Sequence, residues 1–553
     1  MYAAGMKLCA VMTLLLAAVH GQTVDLVLHN GNVLTMDAAF SRHSAVAIGG
    51  GRIVAVGGRE LPERYSAARA IDLRGRTVIP GFNDTHIHIS GDPARHVDLT
   101  AARSIAEVQK LVRARAAQLG AGEWVTGYGW SEDQLAEKRR PLRADLDAAA
   151  PDNPVALTRA GGHSAAANSR ALKLAAIGRD TPDPPRGVIE RGPDGEPNGI
   201  VRERGDLFTR LVPRASAAEL RESLVAKLRA LLRLGITSII VAGAPIEGGA
   251  GRASFAEWEA IYRRHGPELP RATVQIYWAG VKAMQAFGRK TGDGDERLRV
   301  GAVKLLVDGG FTGPAAYTIE DYKGQPGYRG KLTLTEKELY ELVRDGHGLG
   351  WQLGFHTIGD AAIALTVDTF ERVLKENPRA DHRHFLNHFS MLPPERTLRQ
   401  MAAAKILIAQ QPNFTYTLEG RYADNLDGSR LEHNNPVATP TKHGIFMAFG
   451  SDILPIGPMV GLYAAVTRKG MSGRVFGPSE RVSMREALIA YTRSGAFLTR
   501  EENLKGTIET GRLADLIVLS GDPLQTDPEK LMSMTVEMTI LGGRVVWESG
   551  GGR

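Results

Sequence analysis

Two histidines stand two positions apart, at His86 and His88, after the apolar run 77–79 and the turn 80–81. On a β-strand, side chains two positions apart point to the same face, so both imidazoles would converge from one strand end. Imidazole nitrogens are common ligands of zinc, and two of them form half of a zinc site. Two ordinary histidines after a turn remain the alternative for an isolated pair. Further ligands along the chain are needed to favour a metal site.

Further side chains of the metal-binding type follow at, or just past, the ends of short apolar, strand-like runs. They are Lys304, His356, His388 and Asp452. Between these runs lie stretches with helical periodicity, such as residues 334–349 and 361–376. Strands that alternate with helices indicate a parallel sheet with crossover helices. Polar residues that recur at the carboxyl ends of strands are typical of the active site of a (β/α)8 barrel.

The two ends of the chain differ in pattern from its centre. Residues 22–79 and 505–553 read as short strands with Gly-rich turns, so we expect them to pair into one small β domain. Residues 80–504 form the predicted barrel. Within them, residues 93 to about 215 interrupt the alternation with Pro-, Asp- and Gly-rich turns. We interpret this stretch as an insertion after the first barrel strand that covers the active site.

The composition is that of a globular chain. Its 553 residues are 43% hydrophobic and 23% charged, which is enough apolar material for a large core. The net charge of +7 comes from Lys and Arg scattered through helical stretches, and no basic run carries interleaved aromatic residues. We therefore interpret the basic charge as a solvated surface and expect no nucleic-acid partner.

Residues 1–21 have the pattern of a secretory signal peptide. Lys7 precedes an apolar stretch, residues 8–19, that is too short to span a bilayer, and small residues precede a predicted cleavage before Gln22. We expect a periplasmic or secreted protein with no membrane insertion after cleavage; an apolar tail or a misassigned start is the alternative. Cys9, the one cysteine, would be lost, so a metal site must use His, carboxylates or lysine.

Five segments resemble, in order, the motifs of the metal-dependent amidohydrolase superfamily. They are PGFNDTHIH (80–88), AVKLLVDGG (302–310), FHTIGDAA (355–362), LNHFSML (386–392) and FGSDILP (449–455). The chain is more closely similar to the amidohydrolase-3 branch, which includes N-substituted formamide deformylase-like enzymes, from about residue 24 onward. This resemblance implies an α/β fold, a TIM-type (β/α)8 barrel with a small composite β-sandwich domain from the N- and C-terminal segments.

The resemblance also implies an activity: hydrolysis of a non-peptide C–N bond in a small amide, formamide or cyclic amide. His86 and His88 with Asp452 would hold one metal, and His356 and His388 would hold a second. The metal would be one or two zinc ions, with Mn, Fe or Co as alternatives. A bound metal lowers the pKa of water to about 7 and polarises a carbonyl. Asp452 would take the proton of the hydroxide and pass it to the leaving nitrogen.

Two residues have roles that stay open. Protonated lysine cannot bind a metal, and the resemblance implies that CO2 converts Lys304 into a carbamate whose oxygens bridge both metals. A structural lysine, or one that contacts substrate, is the alternative. His163, which follows two glycines, is a candidate catalytic residue that would polarise the carbonyl or contact substrate; its alternative is to order the insertion alone.

One position departs from the family pattern. Family members often carry Glu immediately before the position of His388, whereas this chain has Asn387. If that carboxylate orients an imidazole, a neutral amide should weaken His388 as a ligand and make a second metal less secure. Gln411 and Tyr128 are further candidates for the pocket.

Other functions use the same set of residues. The site would equally suit a deaminase of a ring amine or a hydrolase of an ester or lactone, and a non-catalytic exported binding protein is a third alternative. Intact candidate ligands argue against lost catalysis. The expected partner is a small-molecule substrate, and a homodimer is possible.

Overall fold

The computed structural model describes residues 22–132, 134–160, 164–185, 187–248, 252–311, 314–453 and 455–550. Two features expected from the sequence, the signal peptide of residues 1–21 and the catalytic candidate His163, lie outside these residues. Within the described ranges, no helix combines the length and the apolar character that a bilayer crossing requires.

The N-terminal segment forms seven short strands and one helical turn. They are β1 (Gln22–His29), β2 (Asn32–Leu34), β3 (Arg42–His43), β4 (Ala45–Gly49), β5 (Arg52–Gly57), α1 (Leu61–Arg64), β6 (Tyr65–Asp72) and β7 (Thr77–Pro80). Strands β5, β4, β1 and β6 form a four-stranded sheet in that order. Gly81 separates β7 from the next strand, β8 (Phe82–Ile87), which is the first strand of the barrel.

The insertion that follows β8 is a separate layer with its own sheet. Its elements are β9 (His96–Asp98), α2 (Ile105–Leu119), β10 (Val125–Trp130), α3 (Arg143–Ala149), β11 (Val155–Arg159), β12 (Ser164–Ala167), α4 (Ser169–Leu174), β13 (Val188–Arg191), β14 (Pro197–Arg202) and α5 (Asp206–Thr209). The strands are arranged β13-β14-β12-β11-β10-β9. Trp130 is fully buried in the core of this layer, where its indole N–H donates to the Leu157 carbonyl.

The barrel then continues as alternating helices and strands. These are α6 (Ala217–Leu231), β15 (Ile236–Ala244), α7 (Phe255–His265), β16 (Arg271–Tyr277), α8 (Val281–Ala286), β17 (Leu298–Leu306), α9 (Glu336–Gly348), β18 (Leu353–Thr357), α10 (Asp360–Glu376), β19 (Phe385–His388), α11 (Glu395–Ala404), β20 (Leu407–Gln410), α12 (Asn413–Thr417), α13 (Glu419–Asn425), α14 (Gly428–Glu432), α15 (Ala438–Lys442), β21 (Met447–Phe449), α16 (Pro458–Thr467), α17 (Met484–Tyr491) and α18 (Arg493–Leu498).

Eight parallel strands form the barrel sheet in the order β8, β15, β16, β17, β18, β19, β20, β21. The ring closes through a parallel bridge between Ile87, at the end of β8, and Asp452, just beyond β21. Helix starts are set locally: Ser254, Thr335 and Ser483 each cap a helix with a reciprocal bond to a Glu three residues later. The (β/α)8 barrel expected from the sequence is confirmed.

The C-terminal segment adds β22 (Leu516–Leu519), β23 (Val536–Leu541) and β24 (Arg544–Glu548). These strands join N-terminal ones in a six-stranded sheet, β24-β23-β22-β7-β2-β3. Leu28 and Val46 of the four-stranded sheet belong to one buried cluster with Val78, Leu516 and Ile540 of the six-stranded sheet. The two sheets therefore share a core, and the composite β-sandwich from both chain ends is confirmed.

Candidate metal centre

The six candidate ligands come from five strands whose carboxyl ends meet at one end of the barrel. His86 and His88 lie at the end of β8, Lys304 in β17, His356 in β18, His388 at the end of β19 and Asp452 just after β21. Because all these strands are parallel, their carboxyl ends form one rim, which is where barrel enzymes build active sites. The structure thus brings together every metal-type residue that the sequence singles out.

His86, His88 and Asp452 form the tightest group. Each offers one ligand atom, and these atoms all lie within 4.8 Å of one another. His88 Nε2 is 3.7 Å from Asp452 Oδ1. The His88 side chain is 38% exposed and that of Asp452 11%, so the cluster faces an opening.

His388 links this group to His356. The centre of its ring lies 4.7 Å from that of His86 and 4.4 Å from that of His356. Its Nδ1 is also 3.8 Å from Asp452 Oδ2. Four imidazoles and one carboxylate therefore form a continuous cluster, and Lys304 is buried beside it.

The backbone fixes the position of the Asp452 carboxylate. The N–H of Asp452 donates to the His86 carbonyl at 2.7 Å, and the N–H of His88 donates to the Asp452 carbonyl at 3.4 Å. Asp452 has φ +59° and His388 has φ +78°, values that are uncommon for residues other than glycine. Such conformations persist where the surrounding structure holds them, and they cluster at functional sites.

Two side-chain amides orient two of the histidines. Asn387 Oδ1 lies 2.7 Å from His86 Nδ1, and Gln411 Oε1 lies 2.7 Å from His388 Nδ1. An amide oxygen only accepts, so each Nδ1 carries the proton and each Nε2 keeps a free lone pair. The expected effect of Asn387 on His388 is therefore wrong. Neighbouring strand residues point in different directions, and Asn387 reaches across the barrel to His86 instead.

Burial keeps the imidazoles neutral. Burial, reinforced by the nearby Lys304 charge, lowers the pKa of His88 and of His356 to about 3. Burial and the same charge hold the pKa of His86 and of His388 well below the usual value. Neutral imidazole is the form that binds metals.

Several buried polar atoms of this cluster have no hydrogen-bond partner within the described part of the chain. They are Nε2 of His86, His356 and His388, and Nζ of Lys304. An unpaired buried polar atom is costly, so four of them in one place need a common partner. Lone pairs of nitrogen beside a carboxylate are the donors that a divalent transition metal accepts, and the residues present fit such an ion.

Lys304 and Asp452 influence each other's protonation. Burial lowers the pKa of Lys304 to about 7, although the Asp452 carboxylate opposes this change. Burial likewise raises the pKa of Asp452 to about 7, although the Lys304 charge opposes it. Each group therefore favours the charged form of the other, and burial opposes both charges.

Two carboxylates of the site are absent from the sequence-based set. Asp308 Oδ1 lies 3.9 Å from His356 Nε2, and both Asp308 oxygens accept backbone N–H groups at the end of β18. Asp84 Oδ1 accepts the Ser451 N–H at 2.9 Å, beside Asp452. Asp84 lies in the motif of residues 80–88 and Asp308 in the motif of residues 302–310. Their positions inside these motifs could have identified them as site residues from the sequence.

Of the two further pocket candidates, the structure brings one to the site. Gln411 contacts His388, as described above. Tyr128 instead lines a separate cavity of about 380 Å3 in the insertion, whose described lining residues include none of the site histidines.

Comparison with known proteins agrees with this geometry. The model of the family described as "Amidohydrolase family" matches residues 69–547. N-substituted formamide deformylase of Arthrobacter pascens is 31% identical over 559 residues, covering 96% of this chain and 99% of that protein. An uncharacterized metal-dependent hydrolase from Pyrococcus furiosus superposes with a TM-score of 0.68 at 25% identity, covering 90% of this chain and 100% of that one. One from Pyrococcus horikoshii OT3 (TM-score 0.69, 22% identity, 91% and 99% coverage) shares the fold.

Proposed function

This chain belongs to the amidohydrolase family, and we propose that it hydrolyses the C–N bond of a small amide, formamide or cyclic amide with a bound divalent metal. One observation carries the proposal: the buried, unpaired Nε2 atoms of three histidines converge beside Asp452 at the barrel rim. The relationship to a formamide deformylase supports a formamide or a related amide as the substrate class.

We propose a division of the ligands between two metal positions. His86, His88 and Asp452 would hold the first ion, His356 and His388 would hold the second, and Lys304, as a CO2-derived carbamate, would contribute to both. Carbamate formation needs a neutral amine, and the lowered pKa of the buried Lys304 supports that form. A divalent ion, with zinc as our choice, supplies a Lewis acid and lowers the pKa of water to about 7.

Asp452 is the residue that moves the proton. Its carboxylate lies between two of the histidines, 3.7 Å from His88 Nε2 and 3.8 Å from His388 Nδ1. A general acid–base must lie within reach of the proton that it transfers. Asp452 therefore accepts a proton from the attacking water and donates it to the leaving nitrogen, while the ring of His88 stays neutral.

The experiment is reconstitution of metal-free protein with Zn, Mn, Fe or Co, followed by assay on N-formyl, N-acyl and cyclic amides. We expect turnover that depends on metal. His88→Ala should lose activity and most bound metal with an unchanged circular dichroism spectrum, because site residues seldom dominate stability. His265→Ala, at the end of α7, is the matched control and should retain both.

Other outcomes separate the alternative functions. Release of ammonia from ring amines, or cleavage of esters and lactones with no amide turnover, would replace the proposal by a different hydrolytic reaction on the same residues. Bound metal without turnover on any substrate would indicate a binding protein.

We also propose export of the chain, on the basis of the signal-type pattern in residues 1–21. N-terminal sequencing of the protein from its native host should give a start near Gln22 in the periplasmic or secreted fraction. An intact Met1 in the cytosol would contradict export without affecting the proposed chemistry.

A further inference from the structure

An arginine that the proposed metal chemistry does not use lies at the opening beside His88. A cavity of about 110 Å3 is lined by His88, Gly243 and Arg252, among others. Arg252 and Ala253 also line an adjoining cavity of about 450 Å3. A small molecule whose reacting bond lies at His88 would therefore have Arg252 within its binding space and room for the rest of its structure beyond.

Tyr277 holds the Arg252 side chain at this opening. Arg252 Nη1 donates to the Tyr277 hydroxyl, and the guanidinium carbon lies 5.3 Å from the centre of the Tyr277 ring. Tyr277 ends β16 and pairs in register with Lys304 of β17. Gly243, with φ +125°, leaves the space that this ring fills, because a Cβ there would lie 2.5 Å from it.

The charge of Arg252 lacks an acidic partner among the described residues, in contrast to the buried Arg271, which is paired with Asp515. Glu257 also lines the adjoining cavity, where its Oε2 accepts the N–H and hydroxyl of Ser254, and among the described residues it forms no ion pair with Arg252. The remaining N–H groups of the guanidinium can thus receive an anion. Their planar fork matches the two oxygens of a carboxylate.

We infer that Arg252 binds a carboxylate of the substrate, so that the preferred substrates are N-formyl or N-acyl derivatives of small amino acids rather than neutral amides. This inference rests on the proposed function and deepens it.

The test compares N-formylleucine with N-formylleucinamide, which differ in charge but little in size, on zinc-loaded protein. We expect kcat/KM to favour the acid by about ten- to a hundredfold, the range of a hydrogen bond to a charged group. The preference should appear mainly in KM, because the carboxylate is bound equally before and during the reaction. In Arg252→Met the ratio should fall to about one, and Arg252→Lys should restore part of it.

Arg396→Met is the control, since Arg396 pairs with Asp368 on exposed helices and should keep the preference of the wild type. Equal kcat/KM for acid and amide in the wild type, or an unchanged preference in Arg252→Met, would overturn the inference. If neither compound is hydrolysed, the wider substrate panel decides the proposed function and calorimetry decides the inference separately. A tenfold weaker binding of N-formylleucine to Arg252→Met than to wild type supports it, and equal or absent binding in both overturns it.

Discussion

The backbone N–H of Asp452 donates a 2.7 Å hydrogen bond to the carbonyl of His86. With the bridge between Ile87 and Asp452, this bond joins the last barrel strand to the first. The seam that closes the barrel therefore passes through the candidate metal cluster. The same backbone contacts close the barrel and hold Asp452 at its unusual φ of +59° beside the histidines.

Gly450→Ala should open this seam. A Cβ at Gly450 would lie 2.6 Å from the His86 nitrogen and 2.9 Å from Asp84 Oδ1, both held by the closing strands. We expect a loss of about 1–3 kcal/mol in unfolding free energy, as for other overpacked sites, together with weaker metal binding. Urea unfolding and metal analysis measure the two effects. Gly420→Ala in α13, with open space around its Cβ, should lower neither quantity, because alanine is the better helix former. Wild-type stability and wild-type metal content in Gly450→Ala would contradict this prediction.

Asn387→Ala should weaken metal binding through His86. The amide oxygen that accepts from His86 Nδ1 would be lost, so the ring could rotate and change tautomer. Loss of such a partner typically lowers metal affinity about 10–100-fold. Chelator competition gives the affinity, with Gln400→Ala on α11 as the control. Asn387→Asp keeps the acceptor and should bind metal at least as tightly as wild type; weak binding by this variant would argue against the orienting role.

Asp452→Asn and Lys304→Ala should differ in how much metal they keep when activity is lost. Asparagine keeps the size and one oxygen of Asp452 but not its basicity, so metal should be partly retained while kcat falls about a hundred- to ten-thousandfold. Lys304→Ala should lose both metal and activity, with partial rescue by a short carboxylic acid. Measurement of metal stoichiometry and kcat distinguishes the two variants. Lys337→Ala, on the exposed face of α9, is the control. Normal metal and turnover in Lys304→Ala would exclude the carbamate.

Glu480 makes the fold sensitive to acid at a position away from the cluster. It is fully buried, and its Oε2 accepts the N–H groups of Val437, Ala438 and Thr439 at the start of α15. Burial alone would raise the pKa of this carboxyl. Hydrogen bonds from Thr439 and His433 outweigh burial and hold the pKa below its usual value.

A pKa that is lower in the folded state gives stability above the unfolded pKa of about 4.3, and this stability is lost as the pH falls through the folded value. Glu480→Gln should therefore cost about 1–3 kcal/mol at pH 7, and the difference from wild type should shrink below about pH 4. Urea unfolding from pH 7 to pH 3 measures this, with Glu341→Gln on α9 as control. A difference that stays constant with pH would assign the cost to packing alone.

The sequence predicts the strand-end residues well because their positions follow from local pattern. Apolar runs ending in His86, His356 or Asp452 needed only strand periodicity and the order of the motifs to be recognised. The composite sandwich was likewise predictable, since both chain ends show the same short-strand pattern.

Contacts across the barrel could not be read in this way. Asn387 and His86 lie on strands far apart in the chain, and only barrel closure shows that the amide faces His86 rather than its neighbour. Arg252 itself lies outside the helices and strands, so no periodicity specifies its position, and its place beside His88 depends on Tyr277 and on the space left by Gly243.

The central place of β7 in its sheet has a consequence for synthesis. Val78 pairs with Val33 on one side and with Val518 on the other. One edge of β7 therefore has no partner strand until the last strands of the chain have been synthesised. During translation that edge stays unpaired while the barrel emerges behind it, and an unpaired edge is a template for aggregation. We therefore expect slow, late-completing maturation, in which chains that terminate before residue 516 are captured by chaperones or proteases rather than accumulating as free barrels.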